Sequence, residues 1–242
     1  MLFAAGLGTR LRPLTDRTPK ALVEVGGVPM LERVALRLIA AGADRLVVNV
    51  HHHAEQVERF VAERGGWGVE VVVSREEGEP FETGGGLLHA APHLRRDAPF
   101  FAHNADIVTD LPLGGMYAAQ RESGALAVLA VMDRPTTRKL LFDRRGLLGR
   151  TDERKGLELR ARPAEGEVRA LAFAGVHVIS PEILPRISER GVFSILDPYL
   201  RLAGDGATIL PFRVDDALWL DIGRPEQLEA ANRRLAALAA GS

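Results

Sequence analysis

Short apolar runs separated by amphipathic stretches set the rhythm of the first half of the chain. Leu2-Phe3-Ala4-Ala5 reads as a short buried strand, and a long polar loop follows it to about Gly27. Pro29 then opens a helix whose apolar residues Leu31, Val34, Leu38 and Ile39 recur at helical spacing, with Gly42 placed to end it. Leu46 to Val50 is a second strand, and residues 54–64 form a helix with Val57, Phe60 and Val61 on one side. Val69 to Val73 is a third strand, residues 84–94 a further helix, and Pro99 to Ala102 a fourth strand. This alternation predicts an α/β fold: a doubly wound, mostly parallel, Rossmann-like sheet with helices on both faces. Ligands in such a sheet bind at the carboxyl ends of the strands.

The rhythm changes after about residue 125. Ala125 to Val131, Lys139 to Phe142 and Ala170 to Ile179 read as strands with no full helix between each pair, which predicts a small β extension. Residues 151–167 are charged and poor in apolar residues and read as a mobile surface excursion. Ile209 to Val214 is a further strand, Leu218-Trp219-Leu220 another short apolar run, and Pro225 starts a last amphipathic helix carrying Leu228, Ala231 and Leu235. With no internal repeat and no low-complexity linker, one domain is expected across 1–242. Its nucleotide-binding half spans about 1–124, and its sugar-binding and metal half about 125–242.

Composition narrows the class without naming a chemistry. Of the 242 residues 46% are hydrophobic, and the formal net charge is −1, so no basic excess points to nucleic acid or to a membrane surface. The chain has no cysteine, which excludes disulfides, thiolate metal sites and cysteine nucleophiles. There is no signal-peptide pattern at Met1 and no uncharged apolar run near the ~20 residues of a membrane span, so a soluble, cytoplasmic protein is expected.

The chemistry begins at Ala4-Ala5-Gly6-Leu7-Gly8-Thr9-Arg10-Leu11-Arg12-Pro13-Leu14-Thr15. Glycines just after a strand let backbone N–H groups approach an anion without interference from Cβ. Arg10 and Arg12 offer guanidinium forks suited to phosphate oxygens, and Lys20 adds a compact third cation. A polyphosphate ligand accounts for three cations on one glycine-rich loop. The loop is not a dinucleotide fingerprint, because Leu11 stands where a third glycine is needed, and no Gly-Lys-Ser/Thr makes it a Walker motif. Asp106 and Asp221 each follow a predicted strand; two carboxylates from separate strand ends suit magnesium, which completes its shell with phosphate oxygens and water. Asp110 reads instead as a helix N-cap before Pro112. A glycine run at Gly84-Gly85-Gly86 suits a flat base lying against backbone at a helix start, and Gly175 inside an apolar strand marks a bulge or the close approach of another group.

Six segments in order, Ala4 to Thr15, Thr18-Pro19-Lys20-Ala21-Leu22, Glu82-Thr83-Gly84-Gly85-Gly86, Asn104-Ala105-Asp106, Phe173-Ala174-Gly175 and Trp219-Leu220-Asp221-Ile222-Gly223, resemble the signature of the sugar-1-phosphate nucleotidyltransferase (nucleotide-sugar pyrophosphorylase) family. The resemblance covers nearly the whole chain. Within the family it is most similar to members that uridylylate N-acetylmuramate 1-phosphate, and next to those that guanylylate mannose 1-phosphate.

The resemblance implies a nucleoside triphosphate and a sugar 1-phosphate as the two substrates, with Mg²⁺ held by Asp106 and Asp221. Arg10, Lys20, Asp106 and Asp221 would be catalytic. Phe3, Ala5, Gly6, Gly8, Thr9, Arg10, Lys20, Glu82, Thr83 and Gly84 would contact the nucleotide, and Asn104, Ala174 and Gly175 the sugar. Glu77 and Glu79 are weaker base candidates. Relatives often carry a Glu-Lys pair that grips the sugar phosphate, for which Glu158-Leu159-Arg160 is only a loose substitute. The family more often has glycine where Ala105 stands; alanine fits there if φ is not positive. Neither nucleic acid nor membrane is an expected partner, monomer and homodimer both stay open, and the short run after the last helix implies a single reaction. A catalytically dead nucleotide-sugar sensor would have lost Asp106, Asp221 or Lys20, and all three are present. His51-His52-His53 is expected in a strand-end loop rather than at a metal, since neighbours on an extended chain point to alternating faces.

Overall fold

The computed structural model describes residues 1–240. In chain order its elements are β1 (Leu2–Phe3), β2 (Glu24–Val25), β3 (Val28–Pro29), α1 (Met30–Ala40), β4 (Arg45–Val50), α2 (Ala54–Glu63), β5 (Glu70–Arg75), α3 (Glu82–Ala90), β6 (Phe100–Asn104), β7 (Ile107–Thr109), α4 (Leu113–Ser123), β8 (Ala127–Met132), β9 (Arg138–Asp143), β10 (Gly146–Asp152), β11 (Leu157–Arg160), β12 (Arg169–Ile179), α5 (Leu196–Gly204), β13 (Ile209–Arg213), β14 (Trp219–Asp221) and α6 (Pro225–Ala240). Among the described residues no helix is long and apolar enough to cross a membrane.

The first half is a parallel sheet in the order β5-β4-β1-β6. Its strands are apolar on both sides because both faces are covered. Leu31, Val34, Ala35 and Leu38 of α1, Val57 and Val61 of α2 and Met116 of α4 pack on one face. Leu87 and Ala90 of α3 and Tyr199, Leu200 and Ala203 of α5 pack on the other. This is the doubly wound arrangement that the alternation of apolar runs predicts. β1 is shorter than the apolar run suggests: it pairs only through Leu2 and Phe3, and Ala4 leaves the sheet by donating to Asn49.

β12 extends the sheet by running antiparallel to β6. Val176–Ile179 lie between β6 and β8, and the ladder to β8 shifts register between Phe173 and His177. Past that bulge, Arg169–Leu171 pair with β9 instead. Gly175 sits in the bulge with φ 77°, a conformation that L side chains rarely adopt. One strand therefore serves both the parallel sheet and the antiparallel β9-β10-β11 extension, while β13 closes the far edge parallel to β8.

The charged stretch 151–167 lies at the surface, as its composition suggests, but part of it is regular strand rather than an irregular excursion. Thr151 and Asp152 end β10, and Leu157–Arg160 form the edge strand β11. The return from it is pinned by Arg162, whose Nη1 and Nη2 donate to Asp143 at 2.7 and 2.6 Å. Asp143 also accepts from the backbone N–H of Glu165 and of Arg145. Neither side chain of the pair is appreciably exposed, and the Arg162 fork, with those two N–H groups, holds the Asp143 carboxyl well below the usual carboxylate range.

Removing one partner of this shielded pair leaves an uncompensated charge, at a cost of roughly 3–5 kcal/mol. Asp143→Ala is therefore expected to lower the melting temperature by on the order of 10 °C at neutral pH. Because the folded-state pKa is depressed, the contribution is complete above the unfolded carboxylate pKa and declines as pH falls below it. Thermal melts of both proteins at pH 7 and pH 3 check this: the gap should narrow on acidification, and a gap of constant size would assign the cost to packing instead.

Candidate active site

Beyond β1 the chain turns through Ala5–Arg10, and among the described residues none of these six backbone N–H groups donates to a protein acceptor. The turn is held from behind. Leu11 N–H and the Thr15 hydroxyl both donate to the Gly8 carbonyl at 2.8 Å. A Cβ on Gly8 would meet Thr15 Cγ2 at 2.8 Å, so the glycine (φ 65°) is needed for closure, whereas Gly6 has open space around it. Unpaired backbone donors turned toward solvent form an anion-binding concavity.

Two side chains complete this loop. Lys20 Nζ pairs with the Asp106 carboxylate. Arg10 reaches toward Asp221: a Cβ built on Gly223 would lie 3.0 Å from Arg10 Nη2 and 3.1 Å from Asp221 Oδ1.

Asp106 and Asp221, more than a hundred residues apart, are brought together by a two-stranded ladder. β7 pairs antiparallel with β14, Asp221 opposite Ile107 and Trp219 opposite Thr109, and Ile222 N–H donates to the Asp106 carbonyl at 3.0 Å. Asp110 does not cap α4. Its Oδ1 accepts from Leu218 N–H at 2.7 Å and so fastens the far end of the same ladder. Burial pushes the Asp221 carboxyl up from its ordinary value and the neighbouring Asp106 charge adds to it, while Lys20, Arg10 and Arg134 act the other way. Ala105 is buried without positive φ, its N–H donating to Phe3 at 3.0 Å, so alanine is accommodated where glycine is more common. Buried His103, kept neutral by desolvation with its pKa lowered to about 4, bonds through Nδ1 to the Asn104 carbonyl and steadies this turn.

Both carboxylates open into a cavity of about 600 Å³, which Arg10, Glu82, Asn104, Gly175, Phe173 and Trp219 also line. Several expected contacts differ in detail. Ala174 is not in the wall: its methyl is buried and its carbonyl accepts from Trp219 Nε1 at 2.9 Å. The group that approaches Gly175 is Asn104, whose Nδ2 would lie 2.9 Å from a Cβ there. The Phe3 carbonyl is taken by Ala105 N–H, and the Thr83 hydroxyl accepts from Ile195 N–H at 3.0 Å.

On the Cβ side of the three glycines of α3 the space is filled by protein. A Cβ on Gly84 would collide with the Phe193 ring, on Gly85 it would meet the Gly191 carbonyl oxygen at 2.5 Å, and on Gly86 it would meet Asn49 and Glu76, each at 2.6 Å. They exist so that the 191–195 loop and two polar side chains can pack against the helix. Glu82, exposed at the start of α3 with φ 57°, remains on the cavity wall. Glu158 and Arg160 pair with each other at 2.7 Å on the exposed edge strand, outside that wall.

Some residues of the site escaped the sequence reading. Asn49 accepts from Ala4 N–H through Oδ1 and donates to Glu76 Oε1 at 2.6 Å, and Glu76 Oε2 accepts from Phe81 N–H. This buried relay ties the phosphate-type loop to the start of α3. Polar residues at the ends of the apolar runs 46–50 and 69–73 were the available signal. Arg134 lines the cavity next to Trp219, and Arg138, Lys139, Arg150 and Lys155 line it as well, Arg150 paired with Asp197. His51 and His53 bond to the Gly78 and Asp16 carbonyls, and no group of three ligating side chains that could hold a metal occurs among the described residues.

The nucleotidyl transferase family profile matches residues 1–237, and the chain belongs to that family. It is 37% identical over 243 residues to an N-acetylmuramate alpha-1-phosphate uridylyltransferase of Caulobacter vibrioides, covering 98% of this chain and 96% of the relative. A protein of the same description from Neisseria meningitidis is 30% identical, covering 96% and 95%. The catalytic subunit beta of a Drosophila melanogaster mannose-1-phosphate guanylyltransferase is also 30% identical over 93% of this chain, but the match spans only 59% of that protein. Among solved structures, a UDP-glucose pyrophosphorylase complexed with UDP-glucose superposes with a TM-score of 0.77 over 97% of both chains at 17% identity. The inositol-1-phosphate CTP transferase of T. maritima superposes with a TM-score of 0.73 over 95% of this chain and 93% of its own, at 19% identity. These two show the shared fold.

The packing of α3 yields a test. In Gly85→Ala the new methyl faces backbone, which cannot swing aside as a side chain can, and overpacking of this kind costs about 1–3 kcal/mol. A lower melting temperature is expected for G85A than for wild type, and unchanged melting would mean that the 191–195 loop is free to move off the helix.

Proposed function

We propose that this nucleotidyltransferase joins a nucleoside triphosphate to a sugar 1-phosphate and releases pyrophosphate. The observation that carries this reading is the loop of six unpartnered amides with Arg10 and Lys20 set beside two carboxylates from opposite halves of the chain. A sugar-phosphate oxygen forms a bond to the α-phosphorus of the nucleotide, and the bond from that phosphorus to the bridging oxygen breaks, the electron pair leaving with pyrophosphate. No general base is needed, because a sugar phosphate is already ionised at neutral pH. Positioning and charge neutralisation supply the catalysis. Arg10 and the amides steady the departing β- and γ-phosphates, and Lys20 exchanges Asp106 for the α-phosphate.

The site fits Mg²⁺. Asp106 and Asp221 offer hard oxygen donors, Asp221 is held in a buried position where its charge is unfavourable, and two carboxylates leave coordination positions for phosphate oxygens and water. Bound there, the ion would polarise the reacting phosphate and neutralise charge.

The Caulobacter and Neisseria relatives favour uridine triphosphate and N-acetylmuramate 1-phosphate as the pair, giving UDP-N-acetylmuramate, a product suited to cytoplasmic recycling of cell-wall sugar. The Drosophila relative makes guanosine triphosphate with mannose 1-phosphate the second reading. Pyrophosphate release, measured for the four triphosphates against muramate, glucosamine and hexose 1-phosphates, decides between them. Absence of release with every pair would overturn the reading; a winning guanosine–mannose pair would change the substrate and keep the chemistry. Lys20→Ala and Asp106→Asn should each lower the rate at least about 100-fold, and near wild-type turnover in either would sink the assignment of these residues.

A further inference from the structure

Arg134 is a half-buried cation that makes no ion pair among the described residues, although Asp221 lies near enough to act on its charge. It follows β8, and its guanidinium carbon stacks 3.9 Å from the centroid of the Trp219 ring. Nη2 donates to the Phe173 carbonyl at 3.4 Å, while Nε is buried with no partner. Among the described residues no carboxylate forms an ion pair with it. The ring beneath it is itself fixed, because Trp219 Nε1 donates to Ala174 and Trp219 is paired in the β7–β14 ladder. A guanidinium that loses solvent without gaining a carboxylate is costly unless an anion completes it. Here the stack orients the planar fork, so an arriving phosphate meets donors that are already ordered.

Lys20 is engaged with Asp106, Arg10 lies on the amide loop beside Asp221, and Arg150 pairs with Asp197, whereas the Arg134 fork is fixed by a ring and a carbonyl. Arg134 comes from the second half of the chain and shares its stretch of wall with Phe173, Gly175 and Trp219. We propose that Arg134 binds the phosphate of the sugar 1-phosphate, neutralises it and aims its oxygen at the α-phosphorus. This rests on the transfer reading above, but not on which sugar is used.

The experiment is steady-state kinetics of R134Q and R134K with whichever pair the wild type turns over best. Loss of a charge-assisted fork corresponds to about a 10- to 100-fold rise in KM for the sugar 1-phosphate. The KM for the triphosphate should stay within about twofold of wild type, with R134K intermediate because it keeps the charge but not the fork. W219L, which removes the stack and leaves the arginine, should raise the same KM by a smaller factor and serves if R134Q does not fold. An unchanged KM for the sugar phosphate, or a parallel rise for both substrates, would overturn the inference. A wild type that turns over no sugar 1-phosphate would instead defeat the functional reading, so the two failures are distinguishable.

Discussion

The site depends on one short ladder. β7 and β14 contribute three residues each, yet they carry Asp106 and Asp221 from opposite halves of the chain to one cavity. Neither strand belongs to the main sheet, so nothing in the doubly wound core itself forces the two carboxylates together. The clamp is closed by backbone at one end, Ile222 to Asp106, and by the Asp110 carboxylate at the other. It is backed by a small apolar cluster in which Val108 and Ile222 meet Val25, Met30 and Ala231. The last helix and the small β2–β3 hairpin thus act on the chemistry at a distance, by keeping that ladder in place.

Much of the fold was legible because buried parallel strands and amphipathic helices leave periodic signals that survive in a single sequence. The glycine-rich turn after the first strand was legible as well, since glycines at Gly6 and Gly8 break the apolar run of β1. Two things were hidden. The β11 edge strand alternates Leu157 and Leu159 with Glu158 and Arg160 and is exposed throughout, so its composition reads as loop although backbone pairing to β10 makes it a strand. The glycine run of α3 was read for what it could admit, but the space at Gly84, Gly85 and Gly86 belongs to Phe193, Gly191, Asn49 and Glu76. A missing side chain shows that something comes close; it does not show whether that something is ligand or protein.

The same limit applies to cations. Arg134 is one of many arginines in the chain, and nothing local distinguishes it from Arg138 or Arg150. Its character comes from Trp219, 85 positions further on by residue number, and from a strand bulge that exposes the Phe173 carbonyl to it. Pairings of that kind are set by topology rather than by spacing, and they become visible only when the halves are assembled.

The bulge at Gly175 also separates two mechanical parts. On one side of it β12 is locked between β6 and β8, in the block that holds the amide loop; on the other it serves as the first strand of the β9-β10-β11 wall. Side chains on that wall can be exchanged, and the hairpin lengthened or shortened, without shifting the backbone of the amide loop. Such a layout lets the wall vary while the amide loop and the two carboxylates stay in place. The single strand that crosses the boundary keeps each new wall in register with the old chemistry.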